Sequence, residues 1–294
     1  MEKQNFTVIS EFILMGITDH LELQALFFGL FFIIYVTSVV GNLSMILLTK
    51  MDSRLQTPMY FFLQHLSFID FGYSTAVAPK MLVNLLAEQN TIPYNWCATQ
   101  LALFIFFIIS ELFVLAAMAY DRYVAICNPL LYTVIMSKRV CWVLVALPYL
   151  YSAFLSLITT IKIFLSSFCS NNIISHFYCD SLPLLTIICS GTHDVELIIL
   201  IFSAFNLLSS LFIILVSYLM ILMSILRINS AEGRQKAFST CAPHLTVVVS
   251  SHSFETDKMA SLFYTLIIPM LNPMIYSFRN KEVKDVVHKL WKTI

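Results

Sequence analysis

WCATQLALFIFFIISELFVLAAMAY, residues 96–120, runs for 25 residues with a single formal charge, Glu111. A helix needs roughly 20 mostly apolar residues to cross a hydrocarbon core of about 30 Å, so this stretch is long enough to span a membrane. The whole chain has the same character. Of 294 residues, 59% are hydrophobic and 12% charged, and the mean hydropathy is +0.83. Soluble domains carry about 25% charged residues, and half that number cannot solvate the surface of a folded domain this size. With 25 Phe, 6 Gly and 17 basic against 17 acidic residues, disordered, collagen-like and nucleic-acid-binding classes are excluded.

Outward from 96–120, further apolar runs follow at residues 23–49, 58–79, 140–161, 197–226 and 259–278. Among these runs Asp70 is the only acid, and none contains Lys or Arg. A seventh run, 237–254, is free of charge for 18 residues but holds Pro243, His244 and His252. Seven spans place 13 Lys and Arg on one side, from Lys50 and Arg54 to the tail lysines, and leave only Lys3, Lys80, Lys162 and Lys258 on the other. The positive-inside rule then puts the N-terminus outside and the C-terminus in the cytoplasm. Without the weak seventh run that bias breaks, so the charges favour seven spans.

The first apolar run exceeds a signal-peptide h-region and is expected to stay as a signal anchor. The expected organisation is an extracellular N-terminus (1–22), a bundle of seven transmembrane helices (23–278) and a cytoplasmic tail (279–294). Asn5-Phe6-Thr7 is a glycosylation sequon on the outside. In the tail, Val283, Val286, Val287, Leu290 and Trp291 share one helical face opposite lysines, the pattern of a helix lying on the inner leaflet; a solvated helix is the alternative.

Of seven cysteines, Cys97, Cys169, Cys179 and Cys189 fall outside, where an even number fits two disulfides. Four cysteines allow three pairings, and spacing does not choose among them. A zinc site is the other reading, without a supporting Cys-x-x-Cys pattern. Asp70 and Glu111 are intramembrane carboxylates, costly groups that mark functional sites by default. If their helices are neighbours they can face one cavity and bind a cation or share a proton, with Asn42 and Asn272 completing a polar cluster; a purely structural network is the alternative. Asp121-Arg122-Tyr123 closes the third span. Adjacent residues do not share a helix face, so no chemistry is read from the triplet alone. Metalloprotease, nucleophile-elbow and phosphate-loop motifs are absent, and an enzyme has no support.

MAYDRYVAIC (118–127) resembles the third-span signature of odorant receptors, within the rhodopsin-like (class A) G-protein-coupled receptors. The resemblance continues in order along the chain: FILMG (12–16), Gly41-Asn42, LQTPMYFFL (55–63), LSFID ending at Asp70, Ser217-Tyr218, KAFSTCAPHL (236–245) and PMLNPMIYSFRN (269–280). It covers nearly the whole chain. It implies that Cys97 pairs with Cys179 and Cys169 with Cys189, and that Asp70 and Glu111 line an internal cation pocket. It implies that Arg122, with Asp121 and Tyr123, and Tyr218, Asn272, Pro273 and Tyr276 form the contacts that rearrange on activation. The implied ligand is a small odorant and the implied partner the olfactory stimulatory G protein. From the helical phase of matched positions, Phe104, Ile105, Ile108, Ile109, Phe202, Asn206 and Thr265 are the candidate ligand contacts, apolar with few polar groups. No cofactor and no metal is implied.

One stretch departs from the family. After HLTVVV (244–249) the family continues with an apolar stretch carrying a Phe-Tyr-Gly signature, whereas here SSHSFETDK (250–258) follows at once, resembling a third extracellular loop. The outer half of the sixth helix is expected to be missing. Three to four turns at ~1.5 Å per residue amount to about 15–20 Å. The fold expected is therefore all-α, a seven-transmembrane bundle with a short, atypical sixth span and an amphipathic C-terminal helix. The expected function is odorant reception at the plasma membrane. The alternatives are a receptor-derived chain that is retained in the endoplasmic reticulum or does not signal, and, with less support, a transporter or channel.

Overall fold

The computed structural model describes residues 10–18, 20–87, 89–169, 172–189, 191–227 and 262–279. The expectations for Asn5, the sixth span, the tight loop at 255–258 and the tail helix lie outside the described residues.

Five long helices carry the fold: α1 (Leu21–Met51), α2 (Pro58–Leu86), α3 (Tyr94–Cys127), α5 (Lys138–Phe164) and α7 (His193–Leu226). Two short helices, α4 (Tyr132–Ile135) and α6 (Ser181–Leu185), sit in the connections. A π-helical turn, Phe263–Ile267, leads into α8 (Ile268–Arg279). Each long helix overshoots its apolar run; α2 continues past Pro79 and Lys80 to Leu86. Length without charge measures the lipid core, whereas backbone hydrogen bonding continues into the interface. Punctuation follows local chemistry. Pro58 opens α2 at its first turn, where a missing N–H is harmless. Asn128-Pro129 ends α3, because the residue before proline is driven out of the helical region.

The central helix is α3. Of the most apolar window of α3, 67% is buried, against 11% for α1. α3 packs against α2, α5 and α7, while α1 packs against α2 and α8. Glu22–Met51, α3, α5 and α7 are each long and apolar enough to cross a membrane. α2 is more polar and compensates by burial: Ser67, Asp70, Ser74 and Asn84 all lie inside the bundle.

A small sheet at one end of the bundle was not expected from the sequence, which reads 1–22 as a simple tail. β1 (Glu11–Leu14) lies between β2 (Thr91–Pro93), antiparallel, and β3 (Ile173–Ile174), parallel. Its alternation is sharp: Phe12 and Leu14 are buried, Glu11 and Ile13 exposed. Phe12 is enclosed by Tyr94, Phe164 and Phe168, with ring centroids 5.9, 6.3 and 5.3 Å away. FILMG thus reads as an edge of the fold rather than a leader to it.

Candidate functional site

At the sheet end, two disulfides hold the long connection between α5 and α7. Cys97 is joined to Cys179 and Cys169 to Cys189, with Cα–Cα distances of 5.5 and 5.1 Å. Among the described residues no cluster of three or more His, Cys, Asp or Glu is placed to hold a metal. Gln100, which the sequence reading passed over, clamps the same connection. Its Nε2 donates to the Ala76 carbonyl at 2.9 Å, and its Oε1 accepts from the Cys179 N–H at 2.9 Å. One buried side chain thereby ties α2, α3 and the disulfide together. Its polarity one turn from Cys97 was the available signal.

The connection then folds over the candidate pocket. Tyr178 packs on Phe104 at 5.0 Å between centroids, and Phe104 packs on Tyr73 at 5.2 Å. Ile105, Ile108 and Phe202 are half-buried, Ile109 buried. Asn206 is 3% exposed, and its Oδ1 accepts from the Tyr151 hydroxyl at 2.8 Å. Tyr151 is thus a partner that sequence reasoning missed; its position on α5 at the level of Asn206 depends on how two helices pack. Thr265 is fully buried, its hydroxyl 3.5 Å from the Leu262 carbonyl. These residues come from α3, α5, α7 and the π-helical turn. The contribution expected from the sixth span lies outside the described residues.

Mid-bundle, Asp70 (1% exposed), Glu111 (3%), Asn42 (0%) and Asn272 (2%) are all buried. Asn272 Nδ2 donates to Asp70 Oδ2 at 2.9 Å, and Glu111 lies near enough to act electrostatically on Asp70. Asn42, expected to complete the same polar cluster, bonds mainly to main-chain carbonyls. Its Nδ2 donates to the Pro269 carbonyl at 2.9 Å and to the Ser38 carbonyl at 3.0 Å, so it ties α1 to α8 through backbone. Pro273 packs against Gly41, where a Cβ would meet its Cγ at 3.0 Å.

At the opposite end, Arg122 pairs with its neighbour Asp121, a contact that the triplet alone does not reveal. Nε donates to Asp121 Oδ2 at 3.1 Å, and a second guanidinium nitrogen bonds the same oxygen. The guanidinium folds back along the helix, a reach that a rule about helix faces does not cover. Tyr132 of α4 donates to the other oxygen, Oδ1, at 2.7 Å, so the fully buried Asp121 is held from both sides. Burial and the neighbouring Asp121 carboxylate push the Tyr132 phenol well above its ordinary range, which keeps it a donor. Tyr218 is half-buried beside Ile221, Ile225 and Tyr123. Tyr276 lies within α8, and its side chain is outside the described residues.

Residues 31–293 match a family model described as olfactory receptor. Among curated proteins, olfactory receptor 8K3 of Homo sapiens is 66% identical over 308 positions, covering 100% of this chain and 98% of that protein. Olfactory receptor 8K1 of Homo sapiens is 63% identical (96% of this chain, 93% of that protein), and olfactory receptor 8U3 of Mus musculus 54% (98% and 95%). Among solved structures, squid rhodopsin superposes with a TM-score of 0.70 at 18% identity, covering 92% of this chain and 86% of that one. The pairing with olfactory receptor 8K3 spans 308 positions against 294 residues here, so at least 14 of its positions have no residue in this chain.

Proposed function

The chain belongs to the olfactory receptor family, with the seven-helix fold of rhodopsin, and from that premise we propose that it binds small volatile odorants inside the bundle and activates the olfactory stimulatory G protein. The family is one of G-protein-coupled receptors, not enzymes, and its members are multi-pass membrane proteins. The supporting observation is the construction of α3. One half carries Phe104 packed on Tyr178, with half-buried Ile105 and Ile108 following it, and its other end holds Arg122 against Asp121. A ligand gripping the first region differently in two states shifts the equilibrium at the second; without differential affinity it shifts nothing. In this reading Asn206, paired to Tyr151, is the polar contact in an otherwise apolar pocket. Residues 1–22 face outside, 23–278 form the receptor domain, and 279–294 lie on the cytoplasmic leaflet of the plasma membrane.

A second reading has its own support: the 14 or more positions lacking here relative to a 66% identical receptor. This reading puts the loss in the outer half of the sixth helix, because the family pattern breaks after Val249. A shortened span drags His252 and serines toward lipid, where unsatisfied polar groups cost several kcal/mol. Such a chain is retained in the endoplasmic reticulum or reaches the surface without signalling. Cyclic AMP in cells co-expressing the olfactory stimulatory G protein, screened over an odorant panel, separates the two. Signalling predicts at least one odorant response that Asn206→Leu weakens and Arg122→Ala abolishes at equal surface level. Responses absent across the panel from a surface-exposed receptor favour the second reading.

A further inference from the structure

Tyr151 of α5 reaches two other helices at once. Its ring lies edge-on to Phe113 of α3, 5.8 Å between centroids, and its hydroxyl donates to Asn206 Oδ1 of α7 at 2.8 Å. Phe113 and Asn206 therefore lie at one level of the bundle. Ile109 precedes Phe113 by four residues and Phe202 precedes Asn206 by four, so both stand one turn nearer the disulfide-bonded end, on the same helix faces. Asn206 thus lies one turn deeper than these two apolar contacts. The Tyr151 bond spends its carboxamide unevenly: Oδ1 is held by the phenol, while Nδ2 donates to none of the described residues. The neighbouring hydroxyls are turned to their own helices. Ser209 and Ser210 donate to the Asn206 and Leu207 carbonyls at 3.2 and 3.0 Å, and the Thr265 hydroxyl is directed at the Leu262 carbonyl. None of the candidate odorant contacts is charged.

We propose that the helix pocket selects neutral odorants by a carbonyl oxygen, taking ketones, aldehydes and esters ahead of alcohols of the same shape, with Asn206 as the donor and Tyr151 as the residue that positions it. This selectivity rests on the odorant pocket proposed above and adds the chemical class that it takes. A carbonyl accepts from Nδ2 and brings no proton of its own. An alcohol also accepts, but it carries an O–H into apolar surroundings where the nearest carboxamide oxygen is already held by Tyr151, and a buried donor left unpaired weakens binding. A protonated amine brings only donors and a charge, for which these contacts offer no counter-charge. Tyr151 acts without touching the odorant: by occupying Oδ1 it fixes which end of the Asn206 amide is left to a guest.

The test uses the full chain in phosphatidylcholine nanodiscs and saturation-transfer NMR, with the signal of empty nanodiscs subtracted. The probes are matched methyl ketones and secondary alcohols, from 2-hexanone with 2-hexanol to 2-nonanone with 2-nonanol. Within each pair that binds, the ketone is expected to bind roughly tenfold more tightly, the worth of about one net hydrogen bond. Asn206→Leu brings the pair level. Tyr151→Phe keeps the ring against Phe113 but frees Oδ1 to accept, so the alcohol gains and the preference narrows to about twofold or less; a merely structural Tyr151 would weaken both members alike. Tyr151→Phe also decides the matter if Asn206→Leu fails to fold. An alcohol that binds the parent as well as its ketone, or a full ketone preference in a folded Asn206→Leu or Tyr151→Phe variant, overturns the proposal. Binding of neither member of any pair overturns the helix pocket and this selectivity together. Because binding is read directly, a receptor that binds ketones without signalling sustains the selectivity while the signalling reading fails.

Discussion

Asp121 accepts from Arg122 on one oxygen and from Tyr132 on the other, so a single carboxylate holds the end of α3 farthest from the sheet. Removing the phenol frees one side. Tyr132→Phe is predicted to raise basal cyclic AMP two- to threefold relative to the parent at equal surface expression, the effect of roughly 0.5 kcal/mol on a two-state equilibrium; unchanged or lower basal signal contradicts this role. Asp180, beside the disulfide at Cys179, is a titratable counterpart. Burial raises its pKa, opposed by hydrogen bonds from the Ser181 backbone N–H and hydroxyl. A carboxyl with a raised folded pKa binds protons more tightly folded than unfolded. Its stability contribution is therefore greatest at low pH and falls as pH rises from the ordinary value of 3.8 through the raised one. Asp180→Asn is predicted to flatten the dependence of Tm on pH over that window, and an unchanged slope would refute the assignment. Neither role is visible in the sequence. DRY is legible as a motif, but Tyr132 lies eleven residues on, and only the turn at Asn128-Pro129 brings it back.

Helix pairs meet where glycine lets them. At Gly72 a Cβ would fall 2.1 Å from Cζ of Phe107, so α2 and α3 approach with the Phe107 ring over the bare backbone. At Gly41 the nearest atom, Pro273 Cγ, is at 3.0 Å, and Gly29 has nothing within 4 Å. Thermal unfolding in detergent should rank the alanine variants in that order. Gly72→Ala loses about 1–3 kcal/mol through overpacking, Gly41→Ala less, and Gly29→Ala nothing. Equal effects at Gly29 and Gly72 would mean that the packing is set elsewhere. The loop after α5 is set by its cross-links. Cys169→Ser opens a loop of 20 residues and should cost about 3 kcal/mol, read as loss of surface expression that Cys127→Ser does not reproduce. The sequence shows the helices through runs free of charge, but not their ends, and not the sheet. β1 is four residues long and declares itself only in its alternation, a pattern too short to separate from a tail without its partners at 91–93 and 173–174.

Along its length the described part of the molecule divides into a cap built from a sheet, two disulfides and an aromatic cage; an apolar mid-zone crossed by buried Asn42, Asp70, Glu111 and Asn272; and an opposite end organised on Asp121. Composition and motif order were enough for the fold class and the family, because lipid imposes a coarse, repeated demand on sequence. Contacts between distant residues, such as Asn206 with Tyr151 or Asn272 with Asp70, depend on helix rotation and tilt that no run of apolar residues encodes. Despite the positions it lacks, the chain is expected to make an export-competent bundle with an odd number of spans. The direct measurement is differential staining of an N-terminal and a C-terminal epitope tag on intact and permeabilised cells. The N-terminal tag is expected to stain on intact cells and the C-terminal tag only after permeabilisation. Staining of both tags on intact cells would contradict the seven-span topology, and staining of neither before permeabilisation would contradict export.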